Sequence, residues 1–214
     1  MKELILTIDD APSPLFSDVL DYLVGKGICA IIFVRGDFVA GHEQELADAI
    51  KKGFIIGNHS YSHPHFDKLS AKAAREEIVR ADKIVDDIYR LSGRERGLKY
   101  FRFPYGVGGT PETEGANQNV LAELGYSAPR FASRRDWYWD IPLLYDWHID
   151  ESNLQEMKER ARQYLLGAKT DATVLVVHDK EPNVRLGLFQ YIIEEAEKQR
   201  FSFCDRNELY KKLL

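Results

Sequence analysis

Short apolar runs alternate with longer segments of helical period along almost the whole chain. Leu4 to Ile8 is continuous rather than alternating and rich in β-branched residues, the pattern of a strand covered on both faces. Pro14 to Lys26 then places Leu15, Val19, Tyr22 and Leu23 on one helical face, and Gly25 and Gly27 end it. Ile28 to Val34 predicts a second strand, His42 to Lys52 a short helix closed by Gly53, and Phe54 to Gly57 a third strand. Ser70 to Leu91 is the longest helix, with Ala74, Ile78, Ala81, Val85 and Ile88 in a narrow stripe stopped by Gly93. Leu98 to Phe103 predicts a fourth strand, followed by the glycine-rich Gly106 to Gly109 and a helix over Pro111 to Leu124. Gly125 to Phe131 and Ile141 to Trp147 read as strands, and Ser152 as the cap of a helix reaching Leu166. Ala172 to Val177 is a strand ending at His178, Arg185 to Gln199 a helix, Phe201 to Cys204 a short strand, and Asn207 to Leu213 a last helix.

That is a β-α unit repeated about seven times with no proline- or serine-rich linker between repeats. Strands joined by helical crossovers run parallel. The expected fold is therefore α/β, a distorted or incomplete (β/α) barrel of about seven parallel strands. At 214 residues the chain is most simply one domain, long enough for a large core. The loops that follow the strands of such a barrel gather at one face, where barrels keep their chemistry.

Composition narrows the partners. The hydrophobic fraction of 44% and charged fraction of 29% are ordinary for a soluble globular domain. The net charge of −5 and the lack of a long basic run argue against nucleic acid. No apolar stretch reaches membrane-spanning length, so no membrane partner is expected. Cys29 and Cys204 both lie in strand-like apolar runs, so free buried thiols are expected rather than a disulfide framework. Met1-Lys2-Glu3-Leu4 enters the first strand at once, which leaves no room for a leader and favours a cytoplasmic protein, unless a leader was removed.

The candidate chemistry sits at the ends of the predicted strands. Asp9 and Asp10 follow the first one, and adjacent carboxylates at the mouth of a buried strand repel unless a cation or hydrogen-bond donors lie nearby. About fifty residues later comes Asn58-His59-Ser60-Tyr61-Ser62-His63. Its histidines at i and i+4 can turn toward one point. One carboxylate and two imidazoles form a three-ligand set that suits Zn²⁺, with Co²⁺ or another divalent ion as alternatives, and leave a position open for water. The other carboxylate is then free to act as a base. Arg102, Tyr105, Asp146 and His178 also stand at predicted strand ends. The ordinary alternatives are a helix cap for the aspartates, a surface ion pair for Arg102 and a turn at Tyr105. His42, His65 and His148 are expected to be structural or exposed, and Glu151 to Glu159 a solvated helix face.

Thr7-Ile8-Asp9-Asp10, His59-Ser60-Tyr61-Ser62-His63, Arg102-Phe103-Pro104-Tyr105 and Val176-Val177-His178 resemble, in order, the first, second, third and fifth motifs of the polysaccharide deacetylases, carbohydrate esterase family four. The resemblance runs from residue 4 to about 210, and it implies one catalytic domain over residues 1–214. It implies that Asp10, His59 and His63 hold the metal and that Asp9 is the general base. It makes Arg102 the residue that orients Asp9, the Tyr105 backbone N–H a donor to the oxyanion, His178 the general acid, and Val176 part of the acetyl pocket. Such machinery answers the difficulty of an amide: water must be acidified, its proton taken, the oxyanion held and the leaving nitrogen protonated.

The chain departs from the family pattern at Ala11, where glycine is usual, at Ile8 and at Phe103. These changes bear on substrate shape more than on chemistry. The fourth motif, an Asp-Trp pair whose aspartate supports the histidine and whose tryptophan walls the pocket, has two candidates, Asp136-Trp137 and Asp146-Trp147. The strand-end position of Asp146 favours the second pair. Trp137, Tyr138 and Trp139 then become either a sugar-stacking wall or a cap on the barrel rim. The expected function is metal-dependent removal of N-acetyl groups from amino sugars of the chitooligosaccharide or peptidoglycan type. The alternatives are O-deacetylation of a polysaccharide, hydrolysis of a cyclic amide as in allantoinase-like relatives, and a non-catalytic carbohydrate-binding protein.

Overall fold

A computed structural model describes residues 2–127, 150–167 and 172–204. The strands are β1 (Lys2–Ala11), β2 (Ala30–Val34), β3 (Ile55–Asn58), β4 (Ala172–His178) and β5 (Phe201–Phe203). The helices are α1 (Phe16–Gly25), α2 (Glu43–Lys52), α3 (Ala71–Ser92), α4 (Glu114–Glu123), α5 (Leu154–Gly167), α6 (Glu181–Arg185) and α7 (Leu188–Lys198). Every strand pairing is parallel, in the order β3-β2-β1-β4. β5 pairs with the start of β1 over Lys2 to Leu4, while β2 pairs with β1 from Leu6 onward. Since β4 runs along β1 from Glu3 to Asp9, β5 and β2 share the opposite edge, a distortion of regular strand order. Backbone bonds from Cys29 to Cys204 (3.3 Å) and from Cys204 to Leu4 (3.2 Å) seal that junction. Both thiols are free, as expected, although only Cys204 is fully buried.

Strand alternation sorts the core into two layers. Leu4, Leu6 and Ile8 of β1 and Leu175 and Val177 of β4 pack with α1, α5 and α7 in the outer layer. Ile5 of β1 and Val174 and Val176 of β4 point the other way, meeting Ile31, Phe33, Ile55 and Tyr100 in the inner layer. Gly57 belongs to this inner face, where a Cβ would come within 2.8 Å of the Phe33 ring. The predicted stripe of α3 is buried throughout, Ser70 caps the helix by accepting from the Ala73 N–H, and Gly93 ends it.

Several predicted elements are corrected. Among the described residues Leu98 to Phe103 forms an isolated parallel bridge, Phe101 to Asn58, rather than a strand, and Phe101 and Phe103 pack in a separate aromatic cluster with Phe66 and Tyr126. Arg185 to Gln199 is two helices, broken where Gly187 takes φ 73°. Ser152 does not cap α5; Asp150 precedes it and accepts from the N–H groups of Ser152 (2.8 Å) and Asn153 (3.2 Å). Ile141 to Trp147, most of Gly125 to Phe131 and the helix over Asn207 to Leu213 lie outside the described residues. No helix among the described residues is long and apolar enough to cross a membrane.

Candidate metal centre and active site

The aspartate pair owes its geometry to one backbone distortion. In a regular strand Asp9 and Asp10 would face opposite sides of the sheet. Asp10 instead takes φ 59°, and the β1–β2 register slips between Ile8 and Ala11. Three steps along β1 match two along β2, a bulge that turns both carboxylates into one pocket. Asp9 Oδ2 and Asp10 Oδ1 lie 3.8 Å and 3.7 Å from the same nitrogen, His59 Nε2, and both aspartates are buried.

The histidines come from the loop after β3. His59 N–H donates to the Val34 carbonyl (2.9 Å), and Gly36 and Asp37 N–H donate to Ser60 and Tyr61, so the loop continues the β2 edge. Asn58 is fully buried and accepts from the Ser60 N–H (2.8 Å), and the Ser60 hydroxyl accepts from the His63 N–H (3.1 Å). Ser60 and His63 take φ 67° and 59°, which folds the loop back so that both rings meet Asp10. The carbonyl of Arg102 can only accept, so His59 Nδ1, 2.8 Å away, carries the proton. His59 Nε2 therefore turns a lone pair toward Asp10, the arrangement of a metal-ligating imidazole with its tautomer fixed from behind.

One donor atom from each of Asp10, His59 and His63 lies within 4.8 Å of the others. Asp10 Oδ1, 3.2 Å from His63 Nε2, is buried without a hydrogen-bond partner. An orphaned carboxylate oxygen facing an imidazole lone pair is repulsive unless a cation lies between them, so these residues fit a divalent ion. Burial keeps the His59 imidazole below its ordinary value, and burial beside His59 takes His63 down to about 4. Both are then neutral near pH 7, as ligation requires. Burial pushes the Asp10 carboxyl up, but His59, His63, His178 and Lys180 around it hold it below the usual carboxylate range.

Asp9 has different neighbours. The Arg102 guanidinium makes a short charge-assisted hydrogen bond to Asp9 and donates to the Thr7 hydroxyl (2.9 Å), and it stacks 4.2 Å over Phe33. His178 lies directly across the β1–β4 ladder from Asp9, with Nε2 3.9 Å from Asp10 Oδ2. Val176 lies two residues earlier on the same inner face. Tyr105 takes φ 58° in the turn Pro104–Gly106; its half-exposed ring lies edge-on to His63 (4.6 Å) and parallel to His65 (3.9 Å). His42, by contrast, is paired with Glu45 (2.7 Å) at the start of α2.

Three participants escaped the sequence reading. Lys180 Nζ lies 3.3 Å from Asp10 Oδ2. Asp179 is fully buried and accepts from the Ser13 N–H (2.8 Å), while its backbone carbonyl accepts from the Ser13 hydroxyl (2.6 Å); this ties the loop after β1 to the end of β4. Tyr126 supports Asn58 from below (2.6 Å). His65 is exposed, as expected of a structural or solvent-exposed histidine, and its ring stacks on Tyr105. The residues Asp136, Trp137, Tyr138, Trp139, Asp146, Trp147 and His148 lie outside the described residues. Backbone strain marks the same place: of the five non-glycine residues with positive φ among those described, Asp10, Ser60, His63 and Tyr105 belong to this cluster.

Comparison with known proteins agrees with this geometry. The family model for polysaccharide deacetylases matches residues 1–129. An uncharacterized 30.6 kDa protein of Geobacillus stearothermophilus is 29% identical over 154 residues, covering 70% of this chain and 50% of that protein. The peptidoglycan-N-acetylmuramic acid deacetylase PdaA of Bacillus subtilis is 26% identical over 212 residues, covering 97% of this chain and 71% of its own length. The chain thus spans about half to seven tenths of these relatives. Among solved structures, the Xyl-CE4 domain of a multidomain xylanase, from the hindgut metagenome of Trinervitermes trinervoides, aligns with a TM-score of 0.70 and 26% identity. That alignment covers 99% of this chain and 90% of the domain.

Proposed function

Because the chain belongs to the polysaccharide deacetylase family, we propose that it is a metal-dependent hydrolase that removes N-acetyl groups from amino-sugar residues, acting as one catalytic domain over residues 1–214. The observation that carries this reading is the convergence of Asp10, His59 and His63 on one point beside a separately held Asp9. A divalent ion held by these three residues, with Zn²⁺ suiting the donor set best and Co²⁺ next, supplies the Lewis acidity that brings water toward a pKa of about 7.

The other steps belong to the chain itself. Asp9 takes the proton of the attacking water, and the Arg102 guanidinium holds and aims that carboxylate. The Tyr105 N–H donates to the developing oxyanion. His178, across the ladder from Asp9, gives a proton to the leaving nitrogen. Val176 receives the acetyl methyl group. The roles expected of Asp146 as partner of His178, and of Trp147 and Trp137 at the sugar, fall on residues outside the described ones.

The name of PdaA supports an N-acetylated amino sugar of the peptidoglycan type. The similarity to a xylanase-borne domain favours O-deacetylation of a plant polysaccharide as the second reading. Acetate release from peptidoglycan fragments, chitin oligosaccharides and acetylxylan, each with and without chelator, separates the two. Chelator-sensitive release from the first two substrates supports the proposal. Release from acetylxylan alone moves the assignment to the second reading, and release from none of the three overturns both.

A further inference from the structure

The site holds a second charge pair besides that of Asp9 and Arg102. Two buried carboxylates, Asp9 and Asp10, face two cations, Arg102 and Lys180. Arg102 is buried and bonded to Asp9 and Thr7, so it is committed to Asp9. Lys180 is different. It lies two residues beyond the end of β4, its side chain is 38% exposed, and its Nζ reaches Asp10 Oδ2 at 3.3 Å from the mouth of the pocket. Asp10 Oδ1, on the other side of the same carboxylate, faces His59 and His63. The Asp10 carboxylate therefore faces the metal position with one oxygen and the Lys180 ammonium with the other.

We propose that Lys180 is an internal counter-ion of the metal centre, neutralising Asp10 in the metal-free protein and lowering the affinity of the loaded site by like-charge repulsion. The inference rests on the metal-dependent reading above and deepens it. Lys180 sets one positive charge 3.3 Å from a carboxylate whose other oxygen faces the metal position. A divalent ion held by Asp10, His59 and His63 would add two positive charges beside that ammonium. The partly solvated Lys180 head sets this repulsion at the mouth of the pocket, where salt screens part of it. Removing its charge should therefore strengthen metal binding while weakening the empty fold. A lysine that merely packed against the strand end would not give opposite effects on the two states.

The test uses the full chain stripped of metal by chelator, comparing wild type, Lys180→Met and Lys180→Arg. Zn²⁺ and Co²⁺ affinities are measured by titration against a competing chelator at low and high salt, and the metal-free and loaded forms are melted. The expected result for Lys180→Met is binding on the order of tenfold tighter at low salt, with a smaller gain at high salt. Its metal-free form should melt below wild type, and its loaded form should not. Lys180→Arg should follow wild type in both measurements. If wild type binds metal but Lys180→Met binds no more tightly, or its metal-free form melts with wild type, this inference alone falls. If no variant binds either ion, the metal-dependent reading falls and takes the inference with it.

Discussion

Adjacent aspartates can have separate tasks only where the backbone gives them separate neighbours. Here the left-handed Asp10 brings both carboxylates inward; Asp9 then meets Arg102, while Asp10 meets His59, His63 and Lys180. Asp9→Asn should keep the fold and the metal and lower turnover by at least about 10²-fold, the scale of a general base. Asp10→Asn should instead lose metal affinity. Paired metal titrations and acetate-release assays check this, and indistinguishable titrations for the two variants would refute the division. The identity of these residues was legible because each is a chemical type placed after an apolar run. The left-handed conformations of Asp10, Ser60, His63 and Tyr105 were not legible, since none carries the glycine that normally announces such a conformation. Lys180 and Asp179 were missed for a related reason: a polar pair after a strand looks like a solvated turn until the loop after β1 is seen folded over it.

Among the elements, the loop bearing His59 and His63 depends on a support that no linear pattern announces. Asn58 donates to the Ile78 carbonyl of α3 (3.1 Å) and to the Tyr126 hydroxyl (2.6 Å), and it accepts from the Ser60 N–H. Tyr126 in turn donates to Asp82 (2.7 Å), which is held by Arg96 (2.7 Å) and Lys99 (3.0 Å). Burial pushes the Tyr126 phenol well above its ordinary value, so it stays a donor across the usable pH range. Tyr126→Phe removes one hydroxyl from this chain of bonds and leaves Asn58 and Asp82 each short of a partner. It should cost about 1–3 kcal/mol of stability. It should also weaken divalent-ion binding by roughly tenfold or more, as losses behind a metal ligand commonly do. Denaturant unfolding and a metal titration measure the two effects, and a stability loss with unchanged affinity would make Tyr126 structural only. The stripe of α3 was readable because a helix that packs along its length repeats its apolar positions. The segment over Leu98 to Phe103 was misread because alternation counts a residue as strand whether its partner is a strand or, as at Phe101 and Phe103, an aromatic cluster.

For the molecule as a whole, the alternation of strand and helix was enough to give a parallel α/β fold. It did not give the sharing of the β1 edge by β5 and β2, since period-two patterns carry no information about which strand is a neighbour. Nor did it disclose what joins the two ends of the chain at the active face. That join is made by Asp179, which takes the Ser13 N–H across 166 residues of sequence, while its other carboxyl oxygen is buried without a partner. Burial is the main cause that raises the Asp179 carboxyl from 3.8 to about 6, against the hydrogen bonds from Ser13 and the nearby His178. A carboxyl whose folded value lies above its unfolded one favours folding most when protonated. Its contribution is complete below about pH 4 and is lost as pH rises through about 6. Two units of difference amount to about 3 kcal/mol of such dependence. Asp179→Asn keeps an oxygen that can accept from Ser13 and abolishes the titration. Relative to wild type, the variant should therefore gain stability between pH 4.5 and pH 7.5, by up to about 3 kcal/mol, while their difference below pH 4 stays constant. Denaturant unfolding of both proteins across that range, with metal removed throughout, reads the difference directly, because every other titrating group is common to the pair. If the two stability curves run parallel from pH 4.5 to 7.5, Asp179 keeps its proton or its charge at all of these pH values, and the join between β1 and β4 is not pH-sensitive.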